Sequence, residues 1–334
     1  MKELRAELGD DLFALGSIVK RCLKMFLKDG MAVFFSLLAP LIVFLLYVLF
    51  LADIQVDAVN SAFPEGFEVS KGLVKAFVDN WMVSGVLGVA CITVSLSANS
   101  IMVQDKQRGQ IRDCLASPVK RSVITTAYFV FNFVVTAVIC TIVYLVCLVY
   151  LAASGSFTMT ASDVFAVFGV LLFSVLSATL ITVFLASLFR TEATLSGFIG
   201  IISAAIGFLT GAFMPLSIFP TGVQYVSGIL PGTHSSGMFR HFLMSEALED
   251  LVATVPEAAQ ASLRSGLEDA FSMQLNFFGK MVDIDVMAIY IAVIIIVFVV
   301  INLTVGTKLL ECRTENPFSA RKRNPRTKTT NRKQ

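Results

Sequence analysis

Residues 122–152 read SVITTAYFVFNFVVTAVICTIVYLVCLVYLA, and no Asp, Glu, Lys, Arg or His interrupts them. A helix that crosses a bilayer needs about 20 mostly apolar residues. This run crosses with length to spare, and it either tilts or begins before the bilayer. A spanning β-strand is about half as long and alternates polar with apolar side chains; neither property is present. Five more runs are equally free of ionisable residues: 31–52, 81–103, 164–189, 195–214 and 286–307. The expected fold class is an all-α polytopic membrane protein with six transmembrane helices.

Composition agrees. The 334 residues are 56% hydrophobic and only 15% charged, whereas a soluble domain is about a quarter charged. Twenty-nine Phe exclude a disordered chain. Six Cys in this length exclude a disulfide-stapled module. A net charge of +2 gives no footprint for nucleic acid.

Orientation follows from the basic residues beside the runs. Of the 26 Lys and Arg, 21 lie before the first run, between the second and third, between the fourth and fifth, or after the sixth. The five others, Lys71, Lys75, Arg240, Arg264 and Lys280, lie in the alternate segments. Both termini are therefore expected in the cytoplasm of a multi-pass plasma-membrane protein, with external segments at 53–80, 153–163 and 215–285. Cys22, Cys114 and Cys312 fall on the expected cytoplasmic side and Cys91, Cys140 and Cys147 within runs, so no disulfide is expected. About thirty mixed-charge residues precede the first run, which is too long for a signal-peptide core, so no cleaved signal is expected.

Three parts are expected. Residues 1–29 contain an amphipathic helix at 11–28. Leu12, Leu15, Ile18, Val19, Cys22, Leu23 and Phe26 recur at steps of three and four, and Lys20, Arg21, Lys24 and Lys28 face away toward anionic lipid. Residues 30–310 hold the six spans. Residues 311–334 form a basic, polar tail without apolar periodicity, expected to be disordered near lipid. Within the middle part, Pro215, Pro220 and Pro231 break an apolar stretch into pieces too short to span. Two short re-entrant or interfacial helices follow, acting as a gate or as a passive plug. Residues 246–285 read as an acidic external cap of amphipathic helices, with Leu248, Leu251, Val252 and Val255 on one face and Leu263, Leu267, Phe271 and Leu275 on another.

Between the second and third runs, residues 104–121 read QDKQRGQIRDCLASPVKR. Ile111 and Leu115 lie four apart and make a small apolar face, with Arg108 and Arg112 as a charged neighbour. Gly109 allows a close backbone approach or a helix start. Ser117-Pro118 ends the helix, because the residue before proline avoids the α region. Lys120 and Arg121 mark the next membrane boundary. A short helix with an apolar knob and a charged rim suits docking in a partner's groove; a solvated positive-inside loop is the alternative.

This loop resembles the cytoplasmic loop of ABC-2 type permeases, the membrane subunits of ATP-binding cassette transporters. Asp105, Arg108, Gly109, Leu115, Ser117, Pro118, Val119 and Arg121 carry the likeness. The N-terminal amphipathic helix, the six spans and the proline-broken stretch extend it over most of the chain. Residues 211–220, GAFMPLSIFP, are similar to the family's element after span five, and Leu230-Pro231 with Met238-Phe239-Arg240 to the next. Gln104 and Gln110 stand where the family more often has acidic and Thr residues, and segment 246–285 is longer than in compact members. The resemblance implies a dimer of six-span halves, the second half being the same or a paralogous chain, with a separate ATPase that binds ATP and Mg. It further implies export of a hydrophobic or amphipathic substrate such as a drug, lipid, peptide or glycan carrier. No cofactor is expected on this chain.

Rival readings are weaker. The chain has no Gly-x-x-x-x-Gly-Lys-Ser/Thr loop, so ATP hydrolysis is expected elsewhere. An ion-coupled carrier places ionisable groups within its spans, and the six runs have none; Asn99, Asn132 and Asn302 read as inter-helix hydrogen bonds. A membrane enzyme needs a cluster of acids, bases or metal ligands, and His234 and His241 form no zinc motif. In the fifth run Ser196, Gly200 and Ala204 recur every four residues, followed by Gly207 and Gly211. Small residues at this spacing let helices approach closely, within one subunit or, as the resemblance implies, across a dimer.

Overall fold

A computed structural model describes residues 2–63, 69–277 and 280–306. The basic tail and Cys312 lie outside the described residues. Helix α1 (Lys2–Lys28) is followed by α2 (Gly30–Leu46), a π-helical turn (Tyr47–Leu51) and α3 (Ala52–Ser61). Then come α4 (Lys71–Ala98), α5 (Ser100–Gln107), α6 (Gln110–Ala116), α7 (Arg121–Ser154), α8 (Ala161–Leu188) and α9 (Glu192–Leu209). Beyond a 3-10 turn at Leu216–Ile218 lie α10 (Thr221–Ile229), α11 (Pro231–Val252) and α12 (Glu257–Ala270). Strands β1 (Leu275–Phe277) and β2 (Lys280–Val282) pair antiparallel, with Leu275 opposite Val282, before α13 (Ile284–Ile301). Six segments are long and apolar enough to cross a membrane: Ser36–Ser61, Lys71–Gln107, Arg121–Ser154, Ala161–Leu188, Glu192–Leu209 and Ile284–Val305. The protein is an all-helical, multi-pass membrane protein, and the short hairpin is its one departure among the described residues.

Helix α4 is the axis of the bundle. Trp81, Val83, Leu87, Ala90 and Val94 are all buried, and α2, α7, α8 and α11 pack around them. A helix that is apolar on every side belongs inside. Few residues of α9 and α13 are buried. Sequence stops set the joints. Thr160 accepts from the Asp163 N–H and Asp163 returns a bond to the Thr160 N–H, a capping box that starts α8. The Thr191 hydroxyl accepts from the Thr194 N–H at the start of α9. Pro231 opens α11 at its first turn, where no N–H is needed.

Four expectations are corrected. Helix α4 begins ten residues before the expected span edge, so Asp79 lies inside the bundle at 1% exposure. Helix α11 runs unbroken through residue 246, the expected start of the cap, and its first half is buried against α4, α8 and α13. Leu275 sits in β1 instead of on the α12 face, because α12 ends at Ala270; both Phe271 and Leu275 are still buried. Of the three span asparagines, two bond between helices. The Asn132 amide donates to the Ser95 carbonyl at 2.8 Å and Asn302 to that of Leu180 at 2.9 Å. Asn99 turns back to Ser95 in its own span, which corrects the third.

Candidate functional site

Two ends of the bundle gather the residues singled out in the sequence: a loop end, built around α5 and α6, and a cap end, built from α10, α11 and α12.

At the loop end, span two continues through Asn99 into α5, and Gly109 then redirects the chain. Its φ of 82° is left-handed, a conformation glycine adopts without steric cost. No atom stands within 4 Å of where a Cβ would point, so Gly109 serves the helix start and not a close backbone approach. Helix α6 follows and ends at Ser117, which is extended ahead of Pro118 and donates its hydroxyl to the Cys114 carbonyl at 2.5 Å.

Helix α5 is held on all sides by polar contacts. Asp105, fully buried, pairs with Arg21 of α1 and accepts from the Tyr128 hydroxyl of α7 at 2.7 Å. Arg21 also donates to the Gln110 side-chain oxygen at 2.5 Å. Burial alone would lower the Arg21 pKa, yet the adjacent Asp105 charge raises it. Lys106, 4% exposed, donates to the carbonyls of Ser187 at 2.6 Å and Phe189 at 3.0 Å. A cation there satisfies the open carbonyls at the C-terminus of α8. The Gln104 amide donates to Glu192 at 2.7 Å, and the Glu192 N–H donates to Gln107 at 2.9 Å. Lys120 reaches Asp11 of α1 at 2.8 Å. One short helix thus ties together α1, α7, α8 and the start of α9.

The loop residues therefore divide. Asp105 is not on the free surface; it anchors the loop to α1. Ile111 is fully buried in the chain's own core, so it is no protruding knob. Leu115 is half-buried, while Arg108, Arg112, Pro118 and Arg121 are exposed. The open face of α6 is charged with one partly open leucine. Helix α1 also shows two faces. Cys22 and Phe26 are buried, with the Phe26 ring 6.2 Å from that of Phe131. Leu12, expected on the same apolar face, is exposed beside Phe13 and Leu27, because the packed stripe is narrower than the apolar one. Burial pushes the Cys22 thiol up to about 11.

At the cap end, Gly211 takes φ 71°, and a Cβ there would stand 2.8 Å from the Arg240 guanidinium. Arg240, fully buried, donates to the carbonyls of Thr210 at 2.9 Å, Gly211 at 2.7 Å and Ser272 at 3.2 Å. It closes the C-terminus of α9 and clips that end to the turn after α12. Pro215 precedes the 3-10 turn, Pro220 caps α10 and Pro231 opens α11. The three prolines and Gly211 are the joints of one compact unit between α9 and α11, in which α11 is largely buried and α10 is mostly exposed. Of the small residues on α9, Gly200 and Ala204 are exposed, with no atom of the described residues within 4 Å of a Cβ on Gly200, while Gly207 is buried under the Phe213 ring.

Sequence reasoning missed Asp79 and Arg240 as buried groups. Asp79 accepts from Tyr47 at 3.0 Å, Tyr150 at 3.3 Å and Ser156 at 2.5 Å, which links spans one, two and three at the cap end. The signal was a tyrosine near the end of each of two flanking runs. His234 bonds the Gly228 carbonyl at 2.7 Å and stacks on Tyr290, whereas His241 rests edge-on against Phe242. Among the described residues no group of three or more His, Cys, Asp or Glu could hold a metal ion.

A comparison with curated proteins gives no match. The family described as ABC-2 type transporter matches residues 14–244, more than half of the chain. That span runs from within α1, through the collar around α5 and α6, to the buried half of α11. The helices tied together at the loop end and the proline-jointed segment at the cap end are thus inside the matched region, and the chain belongs to the ABC-2 type transporter membrane-domain family.

Proposed function

We propose that the chain is the permease subunit of an exporter, one of two six-span halves, driven by a separate ATP-binding cassette ATPase that supplies ATP and Mg chemistry. The observation that supports docking at the loop end is the collar. The turn before α6 presents Arg108, α6 presents Arg112 and part of Leu115, and everything behind them is fastened to α1, α7, α8 and α9 through α5. A force on α6 would reach four other helices without passing through flexible loop. The exposed Gly200 and Ala204 on α9 leave a face on which a second half packs closely. Both termini lie in the cytoplasm of the plasma membrane on this reading, as the basic residues direct. The apolar spans favour a hydrophobic or amphipathic substrate.

The test uses the tagged chain purified from its own membranes. An ATP-binding cassette ATPase, identified by mass spectrometry and by ATP hydrolysis in the eluate, should accompany it. Because Leu115 is already half-buried, Leu115→Ala removes only part of a leucine's transfer free energy, about 1 kcal/mol, or roughly fivefold in affinity. Leu115→Glu should abolish co-purification while the melting temperature of the isolated chain stays unchanged. Co-purification at parental level with Leu115→Glu removes α6 as the docking element.

A further inference from the structure

Where α10, the start of α11 and the turn after α12 meet, there is a pocket of about 220 Å³. Nearly half of its wall is polar, whereas the clefts between α4, α8 and α9 and between α2, α4 and α7 are almost wholly apolar. Most of its hydrogen-bond donors are spent on the protein. The Gln224 amide donates to the carbonyls of Phe219 at 2.8 Å and Ser217 at 3.5 Å. The Ser217 hydroxyl donates to Ala270 at 2.7 Å, the Thr233 hydroxyl to Leu209 at 3.1 Å and the Gln274 amide to Glu268 at 3.4 Å. What remains is mainly oxygen. The half-buried Gln224 and Gln274 keep their side-chain carbonyls, which only accept. Asp269 is exposed, and its carboxylate accepts no hydrogen bond among the described residues.

Asp269 also stands where its helix disfavours it. It is the next-to-last residue of α12, whose last turn carries no base. Open carbonyls make that end negative, so a carboxylate there calls for a cation. Arg264, the base of α12, pairs instead with Glu249 of α11. Arg240 is fully buried and spends its terminal nitrogens on three carbonyls. Around the pocket, residues 246–285 hold eight acids and two bases, a field that concentrates cations. One carboxylate beside Leu216 and Leu275 is a poor cage for a metal ion, which takes six or more oxygens, but it suits a cation with a carbon stem. A cavity of about 150 Å³ holds one benzene, so this one holds about nine non-hydrogen atoms. We propose that the pocket binds the primary ammonium group of a short-chain amine. Asp269 takes the charge, Gln224 and Gln274 accept N–H bonds, and Leu216 and Leu275 cover the stem. A role as a station for an amine-bearing substrate rests on the exporter reading above; the binding itself does not.

The test is calorimetric titration of the full chain in nanodiscs of zwitterionic lipid, at constant ionic strength and with empty nanodiscs as the blank. 5-Amino-1-pentanol should bind at one site per chain. 1,5-Pentanediol, which lacks the charge, should bind at least tenfold more weakly, and the N-trimethyl form, which lacks the N–H donors, about fivefold more weakly. Asp269→Asn should raise the dissociation constant of the amine about tenfold and Gln224→Met about threefold. The melting temperature of unliganded Asp269→Asn should equal or exceed that of the parent, because the substitution relieves the end of α12; a fall makes Asp269 a structural residue and overturns the proposal. Diol binding as tight as the amine's, or amine binding unmoved by Asp269→Asn, also overturns it. Calcium binding more tightly than the amine and lost in Asp269→Asn makes this a metal site and overturns the ammonium ligand. Amine binding by a chain that recruits no ATPase leaves the site standing and removes the exporter reading; no amine binding with ATPase recruitment intact does the reverse.

Discussion

Asp105 and Arg21 are unequal partners, and their inequality is measurable. The Asp105 side chain has no exposure, while Arg21 is 36% exposed. Deleting one member of a buried ion pair strands the other at a cost of about 3–5 kcal/mol. Arg21→Ala strands the buried carboxylate with Tyr128 alone and should cost about 3 kcal/mol, the low end, because Arg21 is partly solvated. Asp105→Asn keeps an acceptor for both donors and should cost about 1–2 kcal/mol. Chemical unfolding of the purified chain in detergent gives the ranking, and an equal loss for both contradicts it. Neither partner was legible as such in the sequence. Asp105 stood in a charged loop and Arg21 on a lysine-rich face, and charged residues beside a span read as solvated. Their burial is decided by Tyr128 and Gln110, which no local pattern links to them. Asp79 was missed for the same reason: the hydroxyls of Tyr47, Tyr150 and Ser156 make its burial tolerable, and they come from other elements.

Elements were legible in proportion to their apolar length. The six spans needed only a count of ionisable residues, and α6 needed only Gly109 and Ser117-Pro118. Helix α11 defeated that reading. Its opening, PGTHSSG, is expected to belong to a short re-entrant or interfacial helix, yet it starts a 22-residue helix in which Thr233, Ser235 and Ser236 are buried. Small side chains there let α4 come close, and the glycines of α4 meet them. A Cβ on Gly88 would run into Ser236, and one on Gly85 would stand 2.9 Å from the Ala212 Cα. The second contact is with backbone, which cannot rotate away. Gly85→Ala should therefore destabilise by about 1–3 kcal/mol as an overpacked core does. Gly169→Ala, on the exposed side of α8 with nothing within 4 Å, should be neutral or stabilise by up to about 1 kcal/mol through helix propensity. Melting temperatures of the two variants, side by side, check the difference.

For the whole molecule, the charge asymmetry predicts a single orientation. In a cysteine-free variant, a lone cysteine placed at Ser162, in the exposed first turn of α8, should react with an impermeant thiol reagent in intact cells. One placed at Gln110 should react only after the membrane is opened. Reaction at Gln110 from outside inverts the topology. The two ends so distinguished are joined by one element. From Lys71 to Gln107 span two runs for 37 residues as α4 and α5, joined at Asn99, a turn residue with φ −69° and ψ −9°. At 1.5 Å per residue that is about 55 Å. One end carries the Asp105 and Lys106 fastenings; further along, a Cβ on Gly85 or Gly88 would meet Ala212 or Ser236. On the exporter reading proposed above, a tilt imposed where α6 begins would travel along this segment toward the turn that Arg240 closes.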